Sequence, residues 1–101
     1  MMLPIGSIVR MQDGEQLFMI TSRKPIIEKE QEEVYLDYIA CNYPSGILDE
    51  DVYFFNHEDI EEVVFYGFVG EEEKEMTDYI KEWESLTPLR KGIVNDSREI
   101  E

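Results

Sequence analysis

The order in which two hydrophobic periodicities appear along the chain constrains its fold more than any other feature. Up to residue 68, short apolar and β-branched runs alternate with turn residues, which predicts strands. After Gly70 the period changes, and Met76, Tyr79, Ile80 and Trp83 fall on one face of a helix. Because strands precede a single helix without βαβ alternation, the sequence predicts an α+β fold. We expect a small bent antiparallel sheet, an SH3-like partial barrel, packed by a C-terminal helix.

Five segments are predicted as strands: residues 7–11, 17–22, 33–41, 52–55 and 62–68. Asp13 and Gly14 favour a hairpin turn between the first two, because glycine tolerates positive φ. The strand at 33–41 is apolar on both faces, so we expect it to be central and covered on both sides. Pro25 and the surrounding charges predict a loop or a protruding hairpin tip at 23–32.

The ends of the last two elements follow from capping chemistry. Asn56 is a predicted N-cap for a single helical turn in which Glu58 and Asp59 face the positive end of the dipole. The long helix begins near residue 71 with three glutamates and ends near Leu86, because a residue preceding Pro88 disfavours helical geometry. We therefore predict one domain over residues 1–87. Residues 88–101 form a tail that is ordered only if it docks onto the body or a partner.

The chain is strongly acidic, and the acidity is concentrated in one third of it. Nine Lys and Arg against 24 Asp and Glu give a net charge of −15. Residues 49–84 hold fourteen acids and two bases, so their sum is −12. This charge disfavours binding to nucleic acids and to anionic membranes. The acidic run is either a solvated face or a recognition surface for a basic partner.

The residues that could carry catalysis are few. His57, the one histidine, lies beside carboxylates and could be a base or a metal ligand, although a turn cap explains the same neighbours. The dense carboxylates at residues 49–51 fail the EF-hand pattern, because Phe54 and Ile60 occupy its sixth and twelfth positions. The sequence contains no phosphate-binding glycine loop and no nucleophile motif. We predict a protein that is not an enzyme and that uses no cofactor and no metal.

Cys41 and the hydropathy pattern bear on the compartment. A single cysteine makes no internal disulfide, and Cys41 lies in an apolar stretch that favours a buried, inert thiol. No apolar run approaches the roughly 20 residues that span a bilayer. The first residues have neither the basic region nor the apolar region of a secretory signal. Together these features predict a cytoplasmic protein.

Aromatic residues are abundant for so short a chain, and strand alternation turns some of them outward. Exposed tyrosine beside carboxylate is typical of protein-binding surfaces, because the ring supplies contact area and the hydroxyl a hydrogen bond. The predicted partner-binding residues are the tyrosines and acids Tyr43, Tyr53, Tyr66, Glu58, Asp59, Glu62, Glu72 and Glu73.

Three sequence blocks together resemble a known family: Leu3-Pro4-Ile5-Gly6-Ser7, Tyr43-Pro44-Ser45-Gly46 and Phe55-Asn56-His57-Glu58-Asp59-Ile60. The chain is similar, over about residues 3–85, to a small domain-of-unknown-function family encoded in type VII (ESX-like) secretion loci of Gram-positive bacteria, near LXG toxins. The resemblance implies a cytoplasmic accessory factor: a chaperone or adaptor for a toxin, or a component of its immunity system. It brings no catalytic residues with it.

Several functional hypotheses follow. The first is a non-enzymatic accessory protein that binds a type VII secretion toxin or its complex, and the alternative is an immunity protein that neutralises a cognate toxin. A metal-dependent hydrolase built on His57 and mimicry of DNA by spaced carboxylates are further hypotheses. The expected partner is a protein, and a homodimer through an exposed strand edge is a further expectation.

Overall fold

A computed structural model of the protein describes residues 2–94. Strands alternate with turns up to residue 65, one helix follows, and a short strand comes after it. In chain order the elements are β1 (Ile8–Met11), β2 (Leu17–Arg23), β3 (Ile26–Lys29), β4 (Glu32–Tyr35), β5 (Tyr38–Tyr43), β6 (Tyr53–Phe55), a 3-10 turn (His57–Asp59), β7 (Ile60–Phe65), α1 (Glu71–Leu86) and β8 (Arg90–Lys91).

The larger sheet has five strands in the order β6-β5-β2-β1-β7, and every neighbouring pair is antiparallel. Alternation along the strands puts one face of this sheet over the core. The buried core cluster consists of Leu3, Val9, Met11, Phe18, Ile20, Tyr38, Ala40 and Phe55. Strands β6 and β7 form the edges, and the predicted homodimer through an edge stays a prediction.

The smaller sheet joins β3, β4 and β8. Strands β3 and β4 form a hairpin whose two tip residues, Glu30 and Gln31, have φ values of 53° and 66°. Positive φ at both central positions is the geometry of a type I′ turn, which matches the twist of the flanking strands. Strand β8 then pairs with β4 in parallel, with Arg90 beside Val34.

The predicted continuous strand at 33–41 is wrong, because the chain changes sheets at Leu36 and Asp37. Its first half is β4 of the small sheet, and its second half is β5 of the large one. Asp37 is only 3% exposed, and its carboxylate is bound by groups from three other parts of the chain. The apolar pattern is the same on both sides of this break, so it contains no signal of the change.

The α+β class is confirmed: a five-stranded antiparallel sheet, a small sheet and one C-terminal helix, with the sheets not closed into a barrel. The helix ends at Leu86 as predicted, where the Thr87 N–H donates to the Trp83 carbonyl. The loop or hairpin tip predicted at 23–32 contains β3 and the tip of its hairpin. Cys41 is buried and unpaired, as predicted.

The turn after β6 and the start of the predicted tail are tied together. The Asp59 carboxylate accepts the Asn56 N–H at 2.9 Å, and the Asn56 side chain donates to the Gly92 carbonyl at 2.8 Å. Residues 88–94 therefore dock onto the body, whereas residues 95–101 of the predicted tail lie outside the described residues. Between residues 2 and 94, no helix is long and apolar enough to cross a membrane.

Candidate protein-binding site

Helix α1 is attached to the sheets by polar contacts near both ends and by one buried apolar side chain. The Arg23 guanidinium donates to the two Glu73 oxygens at 2.8 and 2.9 Å, and this hydrogen bonding holds the pKa of Glu73 below its ordinary value. Toward the other end, Lys24 Nζ lies 3.3 Å from the Glu84 carboxylate. Ile80 is the buried residue of the helix. This attachment leaves apolar side chains exposed along both flanks of α1.

The first flank is an open groove between α1 and the end of β2, which we call the helix groove. Its volume is about 400 Å³, and its apolar lining consists of Ile5, Ile26, Met76, Tyr79, Ile80 and Trp83. The Trp83 ring is anchored edge-to-face on Tyr35, with 5.3 Å between the ring centroids. Tyr79 is 64% exposed and Met76 47%, although both lie on the apolar side of the helix. The groove therefore presents apolar area that the fold itself does not cover.

The second flank is a cavity of about 480 Å³ between α1 and the first residues of the chain, lined in part by Leu3, Pro4, Tyr66, Val69 and Thr77. It continues into residues 64–69, which we call the apolar segment. Phe68 is 85% exposed and Tyr66 is 62% exposed. Contiguous apolar exposure of this kind is uncommon on isolated proteins and marks interaction surfaces.

Gly67 fixes the position of the apolar segment against the first residues of the chain. A Cβ atom at this position would lie 2.4 Å from the Ile5 carbonyl oxygen, so only a glycine permits this backbone approach. The Gly67 N–H also donates to Ser7 Oγ at 3.0 Å. The residues on either side of Gly67 are thereby held in place while their rings remain in solvent.

Gly67→Ala is expected to lower the free energy of unfolding by about 1–3 kcal/mol, because the new methyl group overlaps backbone atoms that must move. Urea unfolding of the purified variant measures this loss. Gly14→Ala is the matched control, since its added Cβ would lie at an ordinary 3.9 Å from the Met11 carbonyl oxygen. Equal effects of the two substitutions would contradict the close approach at Gly67.

A buried polar network centred on Asp37 joins the two sheets and the turn after β6. The carboxylate accepts from Lys24 Nζ at 2.7 Å, from Lys91 Nζ at 2.9 Å and from the His57 backbone N–H at 2.8 Å. Burial raises the pKa of Asp37, but these donors outweigh burial and hold it below its ordinary value. We interpret this network as stabilising the fold, because each of its members is hydrogen-bonded or ion-paired to other residues of the protein.

The lowered pKa of Asp37 predicts a pH dependence. The carboxylate contributes its full share of stability above its ordinary pKa of 3.8, and the contribution is lost as the pH falls through the lower folded pKa. We expect the difference in unfolding free energy between wild type and Asp37→Asn to be constant from pH 7 to about 5 and to shrink below pH 3.8. Urea unfolding along a pH series checks this. A difference that widens with falling pH would contradict it.

His57 is tied to the core through a tyrosine. Tyr38 Oη accepts the Leu3 N–H at 2.9 Å and lies 2.8 Å from His57 Nδ1. Burial raises the pKa of Tyr38 to about 12, so the neutral hydroxyl has a proton to donate to Nδ1. Burial also lowers the pKa of His57. This arrangement favours a neutral imidazole whose Nδ1 is already used as an acceptor.

The geometry around His57 offers little to the hydrolase hypothesis. Nδ1 is occupied by Tyr38, and the Asp37 carboxylate binds the backbone of His57. Within residues 2–94, no group of three or more His, Cys, Asp or Glu side chains is arranged to hold a metal ion. The prediction that the protein is not an enzyme stays a prediction.

The three predicted tyrosines occupy different surroundings. Tyr66 lines the second flank of α1 and is largely exposed. Tyr43 is exposed at the end of β5, on another part of the surface. Tyr53 packs edge-to-face on Phe18 at 5.0 Å between ring centroids, so much of its ring belongs to the core. The structure therefore brings only Tyr66 to the surface around the helix.

The predicted acids divide in a similar way. Glu58 is 3.1 Å from Lys91 Nζ, and Glu62 is 3.2 Å from an Arg10 nitrogen. Asp59 caps the turn through Asn56, and burial raises the pKa of its carboxyl. Glu73 is the partner of Arg23 described above. Glu72 is exposed on α1 and forms no ion pair within residues 2–94.

The candidate residues missing from the sequence prediction are Phe68, Met76 and Tyr79. Phe68 falls in the predicted last strand, but β7 ends at Phe65. Met76 and Tyr79 belong to the predicted apolar face of the helix, and that face is covered only around Ile80. One signal was available: glutamates at positions 72, 75 and 82 border this face and leave only a narrow apolar stripe.

Comparison with known proteins gives a family but no relative of known role. The family described as Domain of unknown function (DUF4176) matches residues 2–76, most of the chain. The matched region covers the large sheet, the apolar segment and the first residues of α1. No curated protein matches the chain. No solved structure matches it.

Proposed function

We propose that this chain, which belongs to the DUF4176 family of domains of unknown function, is a non-enzymatic accessory protein that binds another protein. The observation that carries the proposal is the exposed apolar surface around α1. It comprises the helix groove on one flank and the apolar segment on the other. Such a surface gains free energy when a partner removes it from water.

The proposed partner follows from the family resemblance of the sequence blocks and from the charge. We propose that it is a type VII secretion toxin or a component of its complex, bound in the cytoplasm before export as a chaperone or adaptor would bind it. The acidic residues beside the apolar surface favour a partner with basic residues, because complementary charges speed encounter and reject wrong partners. Aromatic rings such as Phe68 and Tyr66 are the type of side chain that dominates binding energy at interfaces.

Co-expression with an LXG toxin, the partner that the family resemblance implies, tests this proposal. The tagged wild-type protein is expected to retain the toxin on an affinity column, and Phe68→Ser is expected to reduce the retained amount about tenfold, as loss of an aromatic hot spot does. Because Phe68 is 85% exposed, the substitution is expected to change the free energy of unfolding of the protein by no more than about 0.5 kcal/mol.

The matched control for this experiment is Ile47→Ser, an exposed apolar residue that lines neither flank of α1. It is expected to retain the toxin as the wild type does. If wild type retains no toxin, the accessory function is wrong. If both variants lose the toxin equally, the surface around α1 is not the binding surface.

The acidity of residues 49–84 supports the alternative of an immunity protein that neutralises a cognate toxin. An acidic surface can cover the basic active-site region of a toxin, as complementary potentials favour. Expression of this chain alone is then expected to rescue cells that produce the toxin. A chaperone is expected to retain the toxin without protecting the cells, so the two functions are distinguished by survival.

A further inference from the structure

We propose that the helix groove takes one amphipathic helix of the partner, with an apolar stripe facing the groove and basic residues along its borders. This inference rests on the proposed function, since it names the chemistry of the partner segment. It assigns that segment to the first flank of α1, between the helix and the end of β2.

The lining of the groove matches the apolar stripe of a helix. Met76, Tyr79 and Trp83 follow one another at spacings of three and four residues, so they form a ridge along α1. The apolar lining outside α1 is formed by Ile5 and Ile26, each about half exposed. A second helix can pack its own ridge against this lining at the usual separation of about 8–10 Å between helix axes.

The border of the groove on the helix side carries negative charge without compensation. Glu72, Glu75 and Glu82 are exposed and lie one turn from Met76 and Tyr79. Within residues 2–94 none of the three forms an ion pair, in contrast to Glu73 and Glu84 on the covered side of the same helix. A partner helix with lysine or arginine beside its apolar stripe would supply the missing charges.

The border on the hairpin side is acidic as well. Glu28 and Glu33 are exposed and directly opposite each other in the β3–β4 pairing. By alternation they lie on the same face as Ile26 and Tyr35, which is the face toward the groove. Like charges in this position repel each other, and a basic side chain between them relieves the repulsion.

A helix can bind the groove through side chains alone. A helix satisfies its own backbone groups within the segment, so it needs no hydrogen bond from the groove and is recognised by its apolar stripe and its charges.

Trp83, the one tryptophan of the chain, makes the groove directly observable. The probe is a synthetic peptide as long as α1 (16 residues), built from Leu, Ala and Lys with Leu on one helical face and no tryptophan. Titration into the full-length protein is expected to change the Trp83 emission to saturation. The control peptide has the same composition in an order without helical periodicity. An unchanged emission, or an equal response to both peptides, would overturn the inference.

Two triple variants with the same change in net charge distinguish binding at the groove from attraction of the peptide to the overall negative charge. Glu72→Gln/Glu75→Gln/Glu82→Gln is expected to weaken binding of the peptide about fivefold or more at low salt, as removal of three border charges should. Asp49→Asn/Glu50→Gln/Asp51→Asn, in the loop before β6, is expected to change it less than about twofold. Equal weakening by both would show attraction to the overall charge, and the inference would be wrong.

The co-expressed toxin separates this inference from the proposed function. Met76→Ser/Tyr79→Ser is expected to lose the toxin together with the peptide, since both side chains line the groove. If this variant retains the toxin as wild type does, the groove inference fails while the accessory function stands. If wild type retains no toxin, the accessory function fails, and the peptide titration still decides whether the groove binds a basic helix. Circular dichroism of each variant confirms that α1 is formed.

Discussion

Asp37→Ala is expected to lower the free energy of unfolding by about 3–5 kcal/mol, because it removes a buried carboxylate that pairs with two ammonium groups. Lys24, whose side chain is 7% exposed, lies 2.7 Å from the lost carboxylate, and Lys91 lies 2.9 Å from it. The His57 N–H loses its acceptor in the same variant. A loss of this size is a large fraction of the stability of an ordinary domain, about 5–15 kcal/mol.

Urea unfolding at neutral pH measures this effect, and Glu62→Ala is its matched control. Glu62 also pairs with a basic residue, at 3.2 Å from Arg10, but its side chain is 56% exposed. Removing a surface pair of this kind is expected to cost less than about 1 kcal/mol. If Asp37→Ala and Glu62→Ala destabilise the protein equally, the network around Asp37 does not have the structural role that its burial indicates.

Phe55→Ala is expected to cost about 3–5 kcal/mol, because it removes a large side chain from the centre of the core and leaves a cavity. Phe55 is fully buried, and its ring packs against Phe18 and Tyr38 with centroid separations of 6.2 and 5.9 Å. Thermal and urea unfolding of the purified variant test the expectation. Because the ring joins β6 to strands in the middle of the sheet, we also expect lower cooperativity if the edge strand detaches.

The matched control is Phe68→Ala, which removes the same ring from the surface. Phe68 is 85% exposed, so its substitution is expected to change the unfolding free energy by no more than about 0.5 kcal/mol. Comparing the two substitutions therefore distinguishes a phenylalanine that stabilises the fold from one that is exposed and available for binding. A loss at Phe68 as large as that at Phe55 would contradict the position of the apolar segment in solvent.

Local signals in the sequence were sufficient for most elements of the fold. The first hairpin, the end of α1 at Leu86 and the α+β order follow from turn residues, a proline and hydrophobic period. The break at Leu36 and Asp37 could not be predicted in this way. It depends on Lys24 and Lys91, which are remote from the break in sequence and meet Asp37 only in the folded protein.

The candidate site was predictable only in part, for a related reason. Tyr66 was identified from composition and does line the surface around α1. Met76 and Tyr79 were placed on the apolar face of the helix, and the pattern fixes that face correctly. The exposure of a helix face depends on the position of the helix against the sheets. Here Arg23 and Lys24 hold the helix in place through ion pairs with Glu73 and Glu84. Helical periodicity contains no information about these two ion pairs.

The parallel pairing of β8 with β4 has a consequence for the order in which the protein is made. Translation supplies Asp37 and Lys24 early, but Lys91 and the Gly92 carbonyl that binds Asn56 emerge from the ribosome much later. Until then, the growing chain has only one of the two ammonium groups that face Asp37, and β4 lacks the neighbour that completes its sheet. Strand β8 is therefore the last strand of the described fold to be synthesised, after all five strands of the large sheet.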